Sequence, residues 1–264
     1  MHHGIYVPLF GALADPHAAV DIACAAEEYG WDGLFVWDHV LSPLDGQWDI
    51  ADPWVVLGAI AAATRAIRLG PMVTPLPRRR LVKLTRETVT VDRLSEGRLT
   101  LGLGTGGDIG REYSAFGEAV DARQRALILE EGVAVLTSLW AGKTVTHRGA
   151  LIVDGVRAIP GPVQQPRIPI WFGTACTEGP PVERAARYDG IFPLVADPAA
   201  VMRILDIVRR IRGTRERFDV AVAARPDTDL NALRRAGATW ALHAFWPGHR
   251  PDQVLRVIRR GKPD

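Results

Sequence analysis

The feature that most constrains this chain is a rhythm: short apolar runs alternate with longer helix-like runs along nearly all of its 264 residues. The apolar runs fall at residues 5–10, 34–37, 67–74, 98–103, 170–172, 190–193, 219–223 and 239–245. Short runs with little polar alternation fit strands buried on both faces, as in a parallel sheet. Helix-like runs follow them at 18–29, 53–64, 79–94, 123–140, 181–188, 230–236 and 251–260, with one more opened by Asp197-Pro198. The pairs Asp15-Pro16, Asp52-Pro53 and Asp197-Pro198 repeat one starting device. The Asp caps the free N–H groups, and the Pro takes the first helical position, where no N–H is needed. Eight strand–helix units in about 250 residues predict a closed (β/α)8 TIM barrel of the α/β class. An open doubly wound sheet is the competing architecture. It usually has fewer strands and a Gly-rich turn after its first, whereas here that turn follows the fourth.

The rhythm breaks once. Residues 145–148 and 151–153, joined through Gly149, read as a β-hairpin inserted between helix four and strand five, and a Pro-rich loop at 160–169 leads back. No linker marks a second domain, so the expectation is a single barrel domain over 1–264.

Composition excludes several function classes. The 32 basic and 30 acidic residues are interspersed and leave a net charge of +2. This argues against a nucleic-acid or membrane-surface partner. No apolar run reaches the roughly 18 residues of a spanning helix, and the first residues carry no signal-peptide pattern. Two cysteines, Cys24 and Cys176, make no disulfide framework, so a cytoplasmic setting is expected. Acids and histidines at the strand ends are too scattered for a metal site, and there is no Gly-x-Ser-x-Gly elbow. His243 reads as a packed core histidine, and His2-His3 as lying before strand one.

In such a barrel the residues just past each strand point into the mouth. Asp38 and His39 follow strand two and form the first candidate acid–base pair; a capped turn and a satisfied loop histidine are the alternative. The run Gly102-Leu103-Gly104-Thr105-Gly106-Gly107 lets a ligand approach the backbone closely. It is not a phosphate loop, since no Gly-Lys-Ser/Thr follows, and a flexible turn is the plainer reading. Gly173-Thr174-Ala175 precedes helix five, where free N–H groups attract anions. Arg78-Arg79-Arg80 offers charge for an anion, although a solvated basic face is favoured. Phe10, Trp48 and Trp246 suggest an aromatic-lined mouth.

Three segments together resemble the luciferase-like flavin-dependent monooxygenase family, which includes a branch using the deazaflavin coenzyme F-420. One is Glu28-Tyr29-Gly30-Trp31-Asp32-Gly33 running into Trp37-Asp38-His39. The second is Leu69-Gly70-Pro71-Met72-Val73-Thr74-Pro75 with Ser95-Glu96-Gly97-Arg98 and Gly102-Leu103-Gly104-Thr105-Gly106. The third is Pro169-Ile170-Trp171-Phe172-Gly173 with Glu183-Arg184-Ala185-Ala186-Arg187. The resemblance spans about residues 4–260. It implies an enzyme that acts on a small organic substrate at reduced FMN, or alternatively a deazaflavin-dependent reductase or dehydrogenase, and a homodimer. A non-catalytic flavin-binding protein is the alternative from another class. By the same resemblance His39 is the catalytic histidine and Asp38 lies near the ring. Met72, Val73 and Thr74 sit behind the ring, with Met72-Val73 matching a non-prolyl cis peptide. Gly104, Thr105 and Gly106 run along the cofactor, and Gly173, Thr174 and Ala175 mark its phosphate side. Some sugar-phosphate oxidisers of the deazaflavin branch carry a Glu just after the Gly-Thr-Gly turn. Here that position is Gly107, with Asp108 next.

Overall fold

The computed structural model of the chain describes residues 1–195, 197–213 and 217–263. Its strands are β1 (His2–Val7), β2 (Gly33–Val36), β3 (Arg68–Pro71), β4 (Thr74–Pro75), β5 (Leu101–Gly104), β6 (Val145–Arg148), β7 (Ile152–Val156), β8 (Ile170–Thr174), β9 (Gly190–Pro193), β10 (Asp219–Ala224) and β11 (Trp240–Ala244). Its helices are α1 (Pro16–Glu28), α2 (Pro53–Ala63), α3 (Leu81–Leu94), α4 (Ala122–Trp140), α5 (Pro180–Ala185), α6 (Pro198–Arg212), α7 (Leu230–Ala236) and α8 (Pro251–Ile258). Every strand except β6 and β7 joins one parallel sheet, in the order β3-β2-β1-β11-β10-β9-β8-β5-β4. The ring closes where Leu69 N donates to Arg98 O at 3.3 Å and Thr100 N donates to Leu69 O at 2.9 Å. This is the (β/α)8 barrel, with β3 and β4 as two halves of its third strand. They meet at the cis peptide Met72-Val73, which the resemblance placed there.

The strands alternate side chains between two cores. Tyr6, Phe35, Met72, Trp171, Phe192, Trp240 and Leu242 fill the barrel interior, while Ile5, Leu34, Leu69, Leu101 and Val220 face the helices. Burying each large side chain contributes roughly 1.5–3 kcal/mol. The aromatic filling needs glycine opposite it: a Cβ on Gly33 would lie 2.7 Å from Phe35, and one on Gly190 would lie 2.6 Å from Trp171. All three expected caps form, with Asp15 accepting from His17 N at 2.9 Å, Asp52 from Val55 N at 2.9 Å and Asp197 from Ala200 N at 2.8 Å. Each is worth about 1 kcal/mol.

The hairpin β6–β7 lies between α4 and β8 in the chain, as expected, and seats Val145, Val153 and Val156 on Val135 and Leu139. Several boundaries move. Strand one starts at His2, because pairing with Trp240 of β11 continues to the chain start; His2 and His3 therefore lie in the strand, not before it. Residues 98–100 make the closing bridge, so the fourth strand proper starts at Leu101. Arg80 is extended and caps α3, which starts at Leu81. Helix five is shorter than the sequence pattern and covers Pro180–Ala185, and helix eight ends at Ile258. No helix among the described residues is long and apolar enough to cross a membrane.

Candidate active site

The mouth of the barrel is shaped by the loops that follow β2, β3–β4 and β5. The loop after β2 carries Asp38 and His39, and the short 3-10 turn after β4 (Leu76–Arg78) carries Arg78. The loop after β5 carries Glu112 and Tyr113. These side chains meet although they are distant in sequence.

Glu112 is the hub. It is 4% exposed. Its carboxylate accepts from Val40 N at 2.7 Å and from Arg78 at 2.6 Å, and it lies 3.0 Å from His39 Nδ1. Burial pushes its carboxyl up, but the bond to His39, the Arg78 charge and the Val40 N–H outweigh that, and the group stays below its ordinary range. An ionised Glu112 can only accept, so His39 Nδ1 carries the proton toward it. Nε2, on the other side of the ring, then faces away from Glu112. His39 lines both cavities of the mouth, one of about 720 Å³ and one of about 200 Å³. It thus sits at their seam, held from behind by a carboxylate. That is the arrangement of a group that accepts or returns a proton at a bound ligand.

Asp38 is placed differently. Its side chain is fully buried, and its carboxylate accepts from Thr74 Oγ1 at 2.7 Å, Arg78 at 2.8 Å and Arg79 at 2.5 Å. Arg78 also donates to the Asp38 carbonyl at 2.7 Å. Two carboxylates and two guanidinium groups therefore form one neutral buried network. Here the reading of Arg78-Arg79-Arg80 as a solvated face is corrected. Arg78 and Arg79 side chains are 3% and 15% exposed and both point at Asp38, with Arg78 also reaching Glu112; of the three, Arg80 alone is exposed. The network fixes the loop that carries His39. The role left to Asp38 is to anchor that loop and Thr74, since its oxygens are already engaged.

The glycine turn is built around protein neighbours. Gly106 has φ +64, and a Cβ there would lie 2.5 Å from the Tyr113 hydroxyl, a backbone conformation that suits glycine. Tyr113 donates to Thr105 O at 2.9 Å, and burial pushes its hydroxyl up to about 12. Cβ atoms on Gly104 and Gly173 would meet Val73 at 2.9 and 2.7 Å. These glycines make room for Val73, which lines the smaller cavity beside Met72, Gly106 and Gly107. The acid after the turn is not recovered by Asp108, whose carboxylate accepts from Tyr113 N and Ser114 N at 2.9 and 3.0 Å.

The supposed anion turn moves. Gly173 and Thr174 end β8, but α5 begins only at Pro180, so Ala175 is not at a helix start. Pro180 and Pro181 have no N–H to offer, and Thr174 Oγ1 accepts from Cys176 N at 2.9 Å. Of the three aromatic mouth candidates, Trp246 lines the large cavity and Phe10 is buried. Trp48 lines a separate cavity beside residues 110–115. The floor shared by the two mouth cavities is Tyr6, Trp37 and Phe192. Tyr6 donates to Met72 O at 2.5 Å, and burial raises its hydroxyl. Trp37 Nε1 is buried without a hydrogen-bond partner, as are the indole nitrogens of Trp171 and Trp240. No group of three or more potential metal ligands occurs among the described residues. Glu112 is the functional residue that sequence reading missed; its only signal, a polar residue in the loop after the glycine turn, is weak on its own.

Comparison with known proteins shows the family. The family model for luciferase-like monooxygenases matches residues 2–260. The chain is a member of the luciferase-like monooxygenase family. An F-420-dependent glucose-6-phosphate dehydrogenase of Microbacterium testaceum is 31% identical over 175 residues, which are 65% of this chain and 50% of that protein. The chain thus spans about half the length of the curated relatives it matches. An F-420-dependent secondary alcohol dehydrogenase bound to an F-420–acetone adduct superposes with a TM-score of 0.74 at 20% identity, covering 98% of this chain and 81% of that one. The oxygenating component of 3,6-diketocamphane monooxygenase from Pseudomonas putida, in complex with FMN, gives 0.70 at 17% identity over 85% and 67%. These two structures establish a shared fold.

Proposed function

We propose that this chain is an oxidoreductase that binds a reduced flavin across the barrel mouth and acts there on a small organic molecule. The observation that carries the reading is the seat of His39, at the seam of two joined cavities with its Nδ1 committed to a buried carboxylate. The surroundings fit a flat ring: an aromatic floor of Tyr6, Trp37 and Phe192, and a Val73 wall backed by glycine. Trp37, Met72, Val73, Gly106 and Gly107 would hold it, with Thr74, Gly104 and Thr105 shaping that wall from behind; Gly173, Thr174 and Ala175 stay at the outer end. A bound flavin supplies hydride transfer or oxygen activation. The protein's share is to exclude water, orient the substrate and manage one proton at His39 Nε2, with Glu112 steadying the charged ring.

A deazaflavin is the second reading, favoured by the F-420-dependent relative and the F-420-bound neighbour. It does not carry the sugar-phosphate reaction with it, because the acid after the turn is replaced by Gly107 and Asp108 is spent on Tyr113 and Ser114. The same proposal includes a cytoplasmic homodimer, which sedimentation of the full chain checks. To test the cofactor, the protein is incubated separately with FMN and with F-420, desalted, and its bound chromophore read by absorbance. Retention of one coenzyme at near-stoichiometric level is expected. Retention of neither overturns the reading.

A further inference from the structure

We infer that the substrate pocket of this site is built for a bulky, uncharged, apolar molecule and disfavours a phosphorylated sugar; this rests on the oxidoreductase reading above. Three observations carry it.

The first is the rim. Three separate loops at the mouth, after β5, β9 and β11, each raise an apolar side chain into solvent. Ile109 is 85% exposed, Leu194 64% and Trp246 42%, and each lines one or both mouth cavities. Scattered exposed apolar residues are ordinary, but a ring of them around one opening marks a binding surface. The second is the wall. The large cavity is lined by Leu194, Pro198, Leu233, Ala244 and Trp246, beside the polar residues Arg225, Asp227, Thr228 and Asp229.

The third is charge. Among the described residues Arg225 is the one Arg or Lys lining the large cavity, and it shares that cavity with Asp227 and Asp229. A phosphate dianion there would meet two carboxylates for one guanidinium, and charge complementarity of that kind decides which partner is rejected. The guanidinium is also already placed, 5.3 Å over the Trp246 ring. That stacking covers the aromatic face that a cationic ligand would seek. Arg78 and Arg79 lend no help, since their charge is balanced by Asp38 and Glu112. The pocket is thus closed to anions by its acids, has its cation-binding face occupied, and is open to apolar surface.

The test titrates the cofactor-loaded protein with straight-chain methyl ketones of about four to ten carbons and with glucose 6-phosphate, reading Trp fluorescence and coenzyme absorbance. Each added methylene is expected to tighten Kd about fourfold until the cavity is full. Glucose 6-phosphate is expected not to compete at millimolar concentration. Leu194→Asp, an exposed position, should weaken the longest ketone at least about tenfold. A flat chain-length series, or hexose phosphate binding more tightly than every ketone, overturns the inference. If no coenzyme binds, the oxidoreductase reading fails separately, and the ketone slope is still read on the coenzyme-free chain through Trp37 and Trp246.

Discussion

Two histidines at opposite ends of this barrel show what burial alone does and what burial with a counter-charge does. His243 sits in β11 near the bottom, on the helix-facing side against Trp31, with its Nε2 3.0 Å from His3 Nδ1. Both imidazoles lose affinity for protons through burial, and His243 falls to about 4. It is a neutral packing group. His39, at the mouth, has Glu112 behind it and a cavity in front. Its Nδ1 lies 3.0 Å from that carboxylate. Residue type is therefore a poor guide to function here. The partner atom and the open side decide it.

His39→Ala should keep the fold and coenzyme binding but slow turnover by about 10²–10⁴; unchanged turnover would remove His39 from the chemistry. Glu112→Ala leaves Arg78 buried with one acid fewer, and a broken buried pair costs about 3–5 kcal/mol. Urea melts should show that loss, and Glu112→Gln, which keeps the shape, should recover part of it. Equal stability in all three proteins would mean the network does not hold the loop.

The bottom of the barrel should report itself by pH. An unfolded chain protonates His243 near 6.5, whereas the folded chain refuses the proton until about 4. Between those values the unfolded state binds more protons, so stability is full above 6.5 and falls as pH drops toward 4. The loss across that window is about 3 kcal/mol. His243→Phe should flatten most of the slope; an unaltered slope would place its origin elsewhere. Glu112 acts in a lower window. Its folded value is depressed, so its contribution is present above about 4.5 and vanishes only as pH falls through the lower folded value. The smallest effect is expected at Arg80→Ala. That side chain is the exposed member of the arginine run, and stability should change by less than about 0.5 kcal/mol. A loss comparable to that of Arg79→Ala would show that the three arginines act together.

Much of the fold was legible because its signals are local. An Asp-Pro pair announces a helix start within three residues, and Asp15, Asp52 and Asp197 all make the bond expected. The hairpin was visible from Gly149 between two alternating runs. The cis peptide position came from resemblance, not from any residue pattern. Boundaries slipped where tertiary pairing overrode local pattern, as when β11 extended β1 back to His2. The site was legible only by halves. Asp38 and His39 stood out at a strand end, but Glu112 lies 73 residues from His39 in a loop without periodicity. Arg78 and Arg79 read as solvated because nothing near them in sequence reveals Asp38 across the barrel mouth. Gly104 and Gly173 were assigned to a ligand for the same reason, since their close neighbour Val73 is also distant in sequence.

The central claim is that Glu112 fixes the proton of His39 on Nδ1 and turns Nε2 to the cavity. Nitrogen NMR of ¹⁵N-histidine-labelled protein at neutral pH tests it directly, with His39→Gln to assign the ring. The account predicts a protonated Nδ1 and a bare Nε2 in the native chain, and a mixture of the two tautomers in Glu112→Gln. A native His39 protonated chiefly on Nε2 would contradict it.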